Sequence, residues 1–367
     1  MISFRNCTMN EAVDRFSKRR IIPFGTGLWF NYLQYTDLRL LNENYVYAID
    51  NNLQRTEVEF CNRRLPVRGV DSLLRETDAV VIITSPIHMY DMYTQLSAMN
   101  LPDTIECYAL PFVQLVSDAN YSKLEERRAI NCKNLNKIPK IIHCFWFSGD
   151  EKPESYKRCF DTWKKVCPDY QIIEWSKDNY DYKKNEFCKK AIELGAWAFA
   201  SDFARLDVVH RMGGFYMDMD VELLKPLDDF LGNEGVFSFS NNITVDLAVF
   251  GAAKGNVLVK KLLDLYSKVD IPNTRKEFDK CFQPNIILPT LLDYGLKCDG
   301  SFQIVEKNAF LPRCYFMPMD LVLFELAAKN ERTYAIHWDN FGWYSGGNDT
   351  RKNKEVNNRK LWAMLGE

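Results

Sequence analysis

Residues 213–224, GGFYMDMDVELL, predict a short strand that is followed by two carboxylates. The two glycines at its start are expected to end a preceding helix, because glycine readily adopts the left-handed conformation of a helix stop. Residues 215–217 then form a strand, and since side chains alternate along an extended chain, Asp218 and Asp220 point to the same side. Two carboxylates on one face make an oxygen site suited to Mg²⁺ or Mn²⁺. The plainer alternative is a solvated acidic turn.

The residues before this strand predict a helix, residues 196–212, AWAFASDFARLDVVHRM. Asp202 and Arg205 are three positions apart and therefore share one helix face. They form either an ordinary ion pair or part of a binding site. In a binding site the carboxylate would accept ligand hydroxyl groups, and the guanidinium would bind phosphate or sugar oxygens in bidentate fashion.

The composition is that of a globular chain of one or two domains. It has 367 residues, of which 47% are hydrophobic and 26% are charged, with a formal net charge of −2. Such a balance lacks the broad basic surface that nucleic-acid binding requires. No run approaches the roughly 20 apolar residues that cross a bilayer, and the charged N-terminus does not resemble a secretory signal. Eleven cysteines without any C-x-x-C pair favour reduced thiols and a cytoplasmic location.

The chain is expected to divide into two domains joined by a linker. Strands predicted at 20–24, 45–49, 79–84 and 105–110 alternate with helical stretches, which indicates a parallel sheet in a Rossmann-like accessory domain, residues 1–117. Residues 118–137 turn polar and charged and are interpreted as a linker helix and loop. Strands and helices alternate again in residues 138–367. A chain that begins near residue 134 is therefore expected to keep the function of this second domain.

A glycine-rich turn in the first domain has two interpretations. Gly25 and Gly27 follow the first long strand, and Asp50 ends the next one, as in a dinucleotide-binding fingerprint. The third glycine of that fingerprint is missing. A scaffold or acceptor-docking module is therefore the preferred interpretation, and cofactor binding is the alternative.

The histidines outside the acidic region have mostly structural interpretations. His143 lies in an apolar strand and is expected to be a hydrogen-bonded core residue. His210, near the end of a helix, is also interpreted as structural. His88 follows the third long strand and is a weak candidate for a separate site.

Three stretches together resemble glycosyltransferase family 32, whose members include capsular-polysaccharide and lipopolysaccharide sugar transferases. They are IPKIIHCFWFSGD at 138–150, SDFARLDVVHRMGGFYMDMDVELLKPL at 201–227 and YAIHWDNFGWYSGG at 334–347. The resemblance covers the chain from about Lys137 onwards. The middle stretch is the most specific, because its Ser-Asp, Arg, Gly-Gly, Tyr and D-x-D residues all have the family's spacing.

The resemblance implies a GT-A-type domain that follows the smaller Rossmann-like domain. It also implies a nucleoside-diphosphate sugar donor, preferably a UDP-hexose, a divalent cation (Mn²⁺ or Mg²⁺), and retention of the anomeric configuration. The acceptor would be a saccharide or a lipid-linked saccharide in bacterial surface polysaccharide synthesis. The protein would then be cytoplasmic, with possible peripheral contact with the inner membrane.

The same resemblance assigns roles to individual residues. Asp202 and Arg205 would hold the donor sugar, and Asp218 and Asp220, with His337 as the third ligand, would hold the metal. Trp146 in the first strand would stack on the donor base, and the adjacent Phe145 would also bind substrate. The residues expected to line the rest of the substrate site are Tyr216, Trp343, Tyr344 and Ser345. The sequence after His337 departs from the family's Ser-Trp pair, so either Tyr344 or Ser345 is expected to meet the diphosphate.

Two rival functions remain open at this stage. One is an NAD(P)-dependent sugar-modifying enzyme that uses the turn at Gly25 and Gly27. The other is a nucleotide-sugar-binding protein that does not catalyse transfer. No carboxylate is an obvious covalent nucleophile, and Asp246 is only a weak candidate. Retention, by attack of the acceptor from the face that the diphosphate leaves, is therefore predicted from the family resemblance alone.

Overall fold

The computed structural model describes residues 2–124, 137–339 and 347–365. Contacts divide the chain into two compact units. Unit 1 comprises Met1–Lys123, Asp320–Glu325 and Lys352–Glu367, and unit 2 comprises Leu124–Met319 and Leu326–Arg351. Within the described ranges, no helix combines the length and the apolar character needed to cross a bilayer.

Unit 1 is built on a seven-stranded sheet. Its N-terminal elements are β1 (Ser3–Arg5), α1 (Met9–Phe16), β2 (Ile21–Phe24), α2 (Leu28–Leu33), β3 (Ala48–Ile49), β4 (Glu57–Phe60), β5 (Arg63–Arg68), β6 (Ala79–Ile83), α3 (Met89–Ser97), β7 (Ile105–Ala109) and α4 (Leu110–Leu124). The strand order is β1-β7-β6-β2-β3-β5-β4, and all neighbours are parallel except β4 and β5. The apolar run of β6 is buried throughout, as expected for a strand covered on both faces.

The order of the central strands is that of a doubly wound sheet. The central strands lie in the order β5-β3-β2-β6-β7. From β2 the chain continues to β3 and β5 on one side, and it then returns to β6, on the other side of β2, and continues outward to β7. Doubly wound sheets place their ligands at such a reversal, beyond the carboxyl ends of the strands. The four predicted strands are confirmed, and the Rossmann-like domain stays a proposal that this order supports.

Unit 2 contains a mixed seven-stranded sheet and a small two-stranded sheet. Its elements are β8 (Ile141–Phe145), α5 (Glu154–Val166), β9 (Gln171–Trp175), α6 (Glu186–Glu193), α7 (Trp197–Met212), β10 (Gly214–Met217), β11 (Val221–Leu223), β12 (Gly235–Phe239), β13 (Val245–Ala252), α8 (Val257–Leu265), α9 (Gln283–Asp293), β14 (Gln303–Val305), β15 (Asn308–Leu311) and β16 (Ala335–His337). The large sheet has the order β14-β15-β12-β13-β10-β8-β9, and β11 pairs with β16. This mixed α/β arrangement is consistent with the expected GT-A-type fold.

The large sheet of unit 2 separates two hydrophobic layers. Along β10, Phe215 and Met217 belong to one layer and Tyr216 belongs to the other, as the alternation of side chains in a strand requires. Helices α6 to α9 cover the Tyr216 side. The acidic pair lies directly beyond β10, where the chain leaves this sheet for β11.

The C-terminal part of the chain is shared between the units, which differs from the expectation that residues 138–367 form one domain. Asp320–Glu325 and most of α10 (Gly347–Ala363) group with unit 1. The physical reason is burial, because Val322, Leu323 and Leu361 belong to the hydrophobic core of unit 1. Of the predicted linker, residues 118–124 continue α4, and residues 125–136 lie outside the described residues.

Candidate active site

The turn between α7 and β10 brings the predicted helix face next to the acidic pair. Gly213 and Gly214 have φ values of +72° and +105°, which L side chains rarely adopt. A Cβ atom on Gly214 would lie 2.7 Å from the carbonyl oxygen of Ile141. Glycine is therefore required here for close approach to β8 as well as for the reversal of the chain.

Arg205 joins the helix to the first aspartate of the D-x-D motif. Its Nη2 atom lies 3.0 Å from Oδ1 of Asp202 and 3.2 Å from Oδ1 of Asp218. The same nitrogen donates to the hydroxyl of Ser201 at 3.1 Å. The predicted pair of Asp202 and Arg205 therefore exists, and it is part of a larger network with Asp218.

Tyr216 also fixes the carboxylate of Asp218. Its hydroxyl group donates to Oδ1 of Asp218, and its ring lies under the Arg205 guanidinium, with 4.5 Å between the guanidinium carbon and the ring centroid. Tyr216 is only 1% exposed, so it reaches the site through its hydroxyl group. Arg205 and Tyr216 therefore both engage the same carboxylate oxygen of Asp218.

Burial raises the pKa values of both carboxyl groups that share Arg205. For Asp202, burial outweighs the attraction of the guanidinium and raises the pKa to about 8. The pKa of Asp218 is also raised, mainly by burial. Burial by itself would lower the pKa of Arg205, but Asp218, Tyr216 and Asp202 raise it, so the guanidinium stays charged. One buried cation therefore serves two carboxyl groups, and the raised pKa of Asp202 keeps its carboxyl group largely protonated near pH 7.

Asp220 meets His337 across the small sheet. Val221 of β11 pairs with His337 of β16, and this register brings Nε2 of His337 to 3.3 Å from Oδ1 of Asp220. The backbone N–H of Trp338 also donates to the carbonyl oxygen of Asp220 at 3.1 Å. The structure thus brings Asp220 and the third predicted ligand together although 117 positions separate them in the chain.

Helix α5 holds the other edge of β11. The indole N–H of Trp163 donates to the carbonyl oxygen of Val221 at 2.7 Å, and the backbone N–H of Leu223 donates to the hydroxyl of Thr162 at 2.9 Å. Trp163 is fully buried. The strand that follows the D-x-D motif is therefore fixed between a helix and β16.

Carboxylates surround His337. Burial by itself would lower its pKa, but attraction to Asp220, the hydrogen bond to that carboxylate and the charges of Asp339 and Asp246 raise the pKa to about 10. Five carboxyl groups act on the two cations of the site: Asp202, Asp218, Asp220, Asp246 and Asp339. Such a concentration of negative charge is the setting in which a divalent cation binds favourably.

The donor set fits a divalent cation in its chemistry. Carboxylate oxygens from Asp218 and Asp220 suit Mg²⁺ or Mn²⁺, and the imidazole nitrogen of His337 suits Mn²⁺ once the ring has released the proton that its raised pKa retains. In the part of the chain that the structure describes, no three His, Cys, Asp or Glu side chains are already grouped around one point as a metal site. Cation binding at the three predicted ligands is therefore kept as a proposal.

Of the two adjacent aromatic residues predicted to bind substrate, Trp146 is partly exposed and Phe145 is buried. Trp146 is half-buried, and its indole N–H donates to the carbonyl oxygen of Asp150 at 2.7 Å, which fixes the orientation of the ring. Phe145 points into the hydrophobic core of unit 2, where it packs against Phe147, Tyr180 and Tyr216. It can therefore shape the site only through its neighbours. Three predicted substrate residues lie outside the described residues: Trp343, Tyr344 and Ser345.

Sequence reasoning gave no role to several residues that support the site. Ser201, the serine of the Ser-Asp pair, accepts from Arg205, and the side chain of Gln283 donates to the carbonyl oxygen of Asp202 at 2.8 Å. Asp339 lies two positions after His337, so an H-x-D pattern could have signalled it. No sequence signal points to Gln283, because its approach depends on how α9 packs near α7.

The structural interpretation of His143 is confirmed. The residue is fully buried, Nδ1 accepts from the indole N–H of Trp175 at 3.2 Å, and Nε2 lies 2.9 Å from the carbonyl oxygen of Gly213. Burial lowers its pKa. His143 is therefore a neutral imidazole that supports the turn before β10.

The glycine turn of unit 1 has a structural explanation. Gly25 has a φ of +101°, and a Cβ atom there would lie 2.9 Å from the Thr84 hydroxyl. The backbone N–H and the hydroxyl of Thr26 both donate to Asp50, at 2.7 and 2.6 Å. An amide that could bind a cofactor phosphate is thus already engaged by a carboxylate of the same chain.

Comparison with known proteins agrees with this site. Residues 153–237 match the family model described as the glycosyltransferase sugar-binding region containing a DXD motif. This range contains Asp202, Arg205, Asp218 and Asp220. Together with their arrangement, the match defines a glycosyltransferase domain of the DXD type.

Individual relatives are also glycosyltransferases. The chain is 34% identical over 101 residues to an uncharacterized glycosyltransferase of Acanthamoeba polyphaga mimivirus, which is 26% of this chain and 40% of the viral protein. It is 27% identical over 108 residues to inositol phosphoceramide mannosyltransferase 1 of Schizosaccharomyces pombe, which is 26% of this chain and 32% of the yeast protein. The chain thus spans well under half the length of these relatives. Among solved structures, the PaToxG glycosyltransferase aligns with 50% of this chain and 79% of its own, at 16% identity and a TM-score of 0.33.

Proposed function

We propose that this chain is an active, metal-dependent glycosyltransferase that retains the anomeric configuration of its donor sugar. The donor is a nucleoside-diphosphate sugar, with a UDP-hexose as the preferred choice. The acceptor is a saccharide or a lipid-linked saccharide, and the setting is bacterial surface polysaccharide synthesis at the cytoplasmic face of the membrane. A relative named for mannose transfer to inositol phosphoceramide adds mannose as a competing donor sugar and supports a lipid-linked acceptor.

The observation that carries the proposal is the network of Asp202, Arg205 and Asp218 beside the contact of Asp220 with His337. Two plainer alternatives fit the structure less well. An ordinary ion pair would join one carboxylate to one guanidinium. A solvated acidic turn would leave the carboxylates exposed. Asp218 instead has a side chain that is 25% exposed, and that of Asp220 is 12% exposed. Buried like charges are costly without a function or a cation, which favours a binding site.

Each part of this network has a role in sugar transfer. A divalent cation, when bound at Asp218, Asp220 and His337, would neutralise the charge that develops on the leaving diphosphate. Arg205 holds Asp218 in place and stays charged, so it can also meet an anionic oxygen of the donor. Asp202, with its raised pKa, is suited to hydrogen bonds with sugar hydroxyl groups in either protonation state.

Retention follows if the acceptor hydroxyl attacks from the face that the diphosphate leaves. In that reaction the glycosidic bond to the diphosphate breaks, the bond to the acceptor oxygen forms, and a phosphate oxygen takes the acceptor proton. Asp246 remains the weak alternative as a covalent nucleophile. Its Oδ1 accepts from the backbone N–H of Ala248 at 2.8 Å, so the carboxylate is at least partly engaged by its own strand.

A thermal-unfolding screen tests donor and metal together. A ligand present at about 100 times its dissociation constant stabilises the native state by roughly 2.7 kcal/mol. We expect UDP-hexoses to raise the melting temperature more than GDP-mannose does, and to do so only with Mn²⁺. The shift should disappear in Asp220→Asn and persist in Asp228→Asn, which removes the charge of an exposed aspartate outside the site.

Each outcome of the screen separates the candidates. A nucleotide-sugar shift that is equal in Asp220→Asn and wild type contradicts the site. Stabilisation by NAD(P) instead would support the dinucleotide alternative in unit 1. Metal-dependent binding without turnover in any donor and acceptor combination would support a binding protein.

A further inference from the structure

A lysine and a glutamate form an ion pair beside the ring on which the donor base is expected to stack. The ammonium of Lys152 lies 2.7 Å from Oε1 of Glu174. The same ammonium lies 5.9 Å from the centre of the Trp146 ring, near the outer limit of a cation–π contact. Both charged side chains are partly exposed, at 25% and 35%, so atoms of a ligand can reach them.

The two members of this pair reach the ring from different elements. Glu174 lies in β9, which pairs in parallel with β8 up to the residue before Trp146. Lys152 lies between β8 and α5, in a segment that the indole N–H of Trp146 engages through the carbonyl oxygen of Asp150 at 2.7 Å. The sheet therefore places the carboxylate, and the segment after β8 places the ammonium.

The ion pair lies at the same edge of the large sheet as the D-x-D motif. Strands β10, β8 and β9 are neighbours and parallel, so their carboxyl ends share one edge, where α/β sheets bind ligands. Burial raises the pKa of the Cys144 thiol in β8. The charges of Glu174 and Asp218 raise this pKa further, and that of Lys152 lowers it. The ion pair and the first aspartate therefore act on the same short stretch of β8.

A base stacked on Trp146 would bring its edge to this pair. On the face towards Lys152, the base would lie about 3.5–4 Å from the ring. The flexible stem of lysine lets its ammonium move to the edge of the base, and its three donors allow it to bond Glu174 and a base atom together.

The pair has the hydrogen-bonding groups that distinguish one class of nucleobase. An ammonium only donates hydrogen bonds, and a carboxylate only accepts them. Uracil and guanine carry an exocyclic carbonyl oxygen next to a ring N–H group. Cytosine and adenine instead carry an exocyclic amino group next to a ring nitrogen that accepts. An ammonium at the exocyclic position therefore favours uracil and guanine.

The plainer explanation is that the pair only fixes the segment after β8 to the sheet. A second pair in this region, Lys157 with Glu151 at 2.7 Å, has side chains that are 44% and 86% exposed. Partly exposed ion pairs contribute little to stability. A purely structural pair would therefore leave the choice of nucleotide unchanged when it is removed.

We propose that Lys152 and Glu174 select the base of the donor nucleotide. Lys152 donates to an exocyclic carbonyl oxygen, and Glu174 accepts from the ring N–H group beside it. The inference rests on the proposed function, because it needs a nucleotide whose base stacks on Trp146. It deepens that function by naming the class of base, uracil or guanine, and by assigning its recognition to two side chains outside the metal and sugar residues.

Calorimetric titration of the full chain with UDP, GDP, CDP and ADP in Mn²⁺ tests this assignment. Lys152→Met keeps the apolar stem and removes the donors, and Glu174→Gln keeps the shape and removes the charge. We expect wild type to bind UDP and GDP at least ~10-fold more tightly than CDP and ADP. Lys152→Met should weaken UDP and GDP binding by ~10-fold, as for the loss of a hydrogen bond to a charged group, and leave CDP and ADP binding unchanged.

Two further variants complete the comparison. Lys152→Arg keeps a cationic donor and should keep most of the preference. Lys157→Met removes the more exposed ion pair with Glu151 and should bind all four nucleotides as wild type does. Glu174→Gln should reduce the preference as Lys152→Met does, because an amide oxygen accepts more weakly than a carboxylate.

The outcomes separate this inference from the function on which it rests. If Lys152→Met and Glu174→Gln bind the four nucleotides with wild-type affinities while Trp146→Ala weakens binding, the proposed function stands and only the selection of the base is overturned. A wild-type preference for CDP or ADP also overturns it. If wild type binds none of the four nucleotides, the proposed function fails and this inference fails with it.

Discussion

At the scale of single residues, the main feature of the site is that one guanidinium, that of Arg205, is shared by two carboxyl groups. Arg205 contacts both Asp202 and Asp218 through one nitrogen, and Tyr216 donates to the same oxygen of Asp218. The guanidinium is the right group for this position because its fixed set of donors can bond several oxygens at once, which an ammonium group does less well. The contact of Asp220 with His337 completes a site in which carboxyl groups outnumber the two cations.

Trp146 provides a test of the nucleotide position. Its ring is held by the hydrogen bond to Asp150, and Tyr156 packs edge-on with 5.6 Å between ring centroids. If a nucleobase stacks on this ring, Trp146→Ala should weaken nucleotide binding by roughly 1–3 kcal/mol. Trp146→Phe keeps an aromatic face and should lose much less. Equal nucleotide affinity of the alanine variant and wild type, measured by calorimetry, would show that Trp146 only packs.

The sequence indicates some residues of the site well and others poorly. Asp202, Arg205, Asp218 and Asp220 are close in the chain, so helix and strand periodicity brings their side chains to one region. Phe145 and Trp146 are adjacent, and only the side of the sheet decides which one enters the core, so sequence alone did not separate them. Ser201 belongs to the Ser-Asp pair of the family pattern, but its bond to Arg205 could not be predicted because it depends on the side-chain conformation of Arg205.

At the scale of elements, the α7–β10 turn is the feature most dependent on residue type. Gly214→Ala would combine an unfavourable φ, at about 1–3 kcal/mol, with a contact to the Ile141 carbonyl that costs a further ~1–3 kcal/mol. Gly255→Ala is the matched control, because Gly255 also has a positive φ, +75°, but nothing lies within 4 Å of the added Cβ. Denaturant unfolding should show a larger loss for Gly214→Ala than for Gly255→Ala. Equal losses would mean that the close approach to β8 is not important.

The elements also show where periodicity fails as a guide. Helix α7 and strand β10 match the predicted ranges within a residue or two, because the glycine stop between them fixes where one ends and the other begins. The residue pattern of 28–41 is typical of one continuous helix, but α2 ends at Leu33 and the backbone of Thr36 is extended. The β4–β5 hairpin was missed because its turn uses Cys61 and Asn62 at positive φ, 48° and 61°, instead of a glycine pair.

At the scale of the whole molecule, the sequence-based domain boundary and the structure lead to different expectations for a truncated chain. A chain beginning near residue 134 was expected to keep donor binding. Such a chain would retain Val322, Leu323 and Leu361 but lose the rest of the hydrophobic core that buries them. Exposed apolar surface of this kind leads to aggregation. We therefore expect the truncated protein to aggregate or to unfold at a much lower temperature than the full chain, as measured by light scattering and calorimetry.

The opposite result is equally informative. If the truncated chain is monodisperse and binds nucleotide sugar with wild-type affinity, the packing of α10 into unit 1 is not needed and residues 138–367 behave as one domain. Sequence could not reveal this packing, because the burial of α10 depends on contacts with residues more than 230 positions earlier, such as Pro86 and Phe112. Only three-dimensional proximity makes that dependence visible.

The central claim is that the chain transfers sugar from a nucleoside diphosphate by means of Asp220. Its most direct test is the rate of UDP release from UDP-hexoses by the full chain, with water or saccharide acceptors, in Mn²⁺ and in chelator. We predict release that requires the metal, continues in Asp228→Asn and falls ~100-fold or more in Asp220→Asn, since about 3 kcal/mol of charge stabilisation equals two factors of ten in rate. Release at the wild-type rate from Asp220→Asn, or nucleotide binding without any release, would contradict the account.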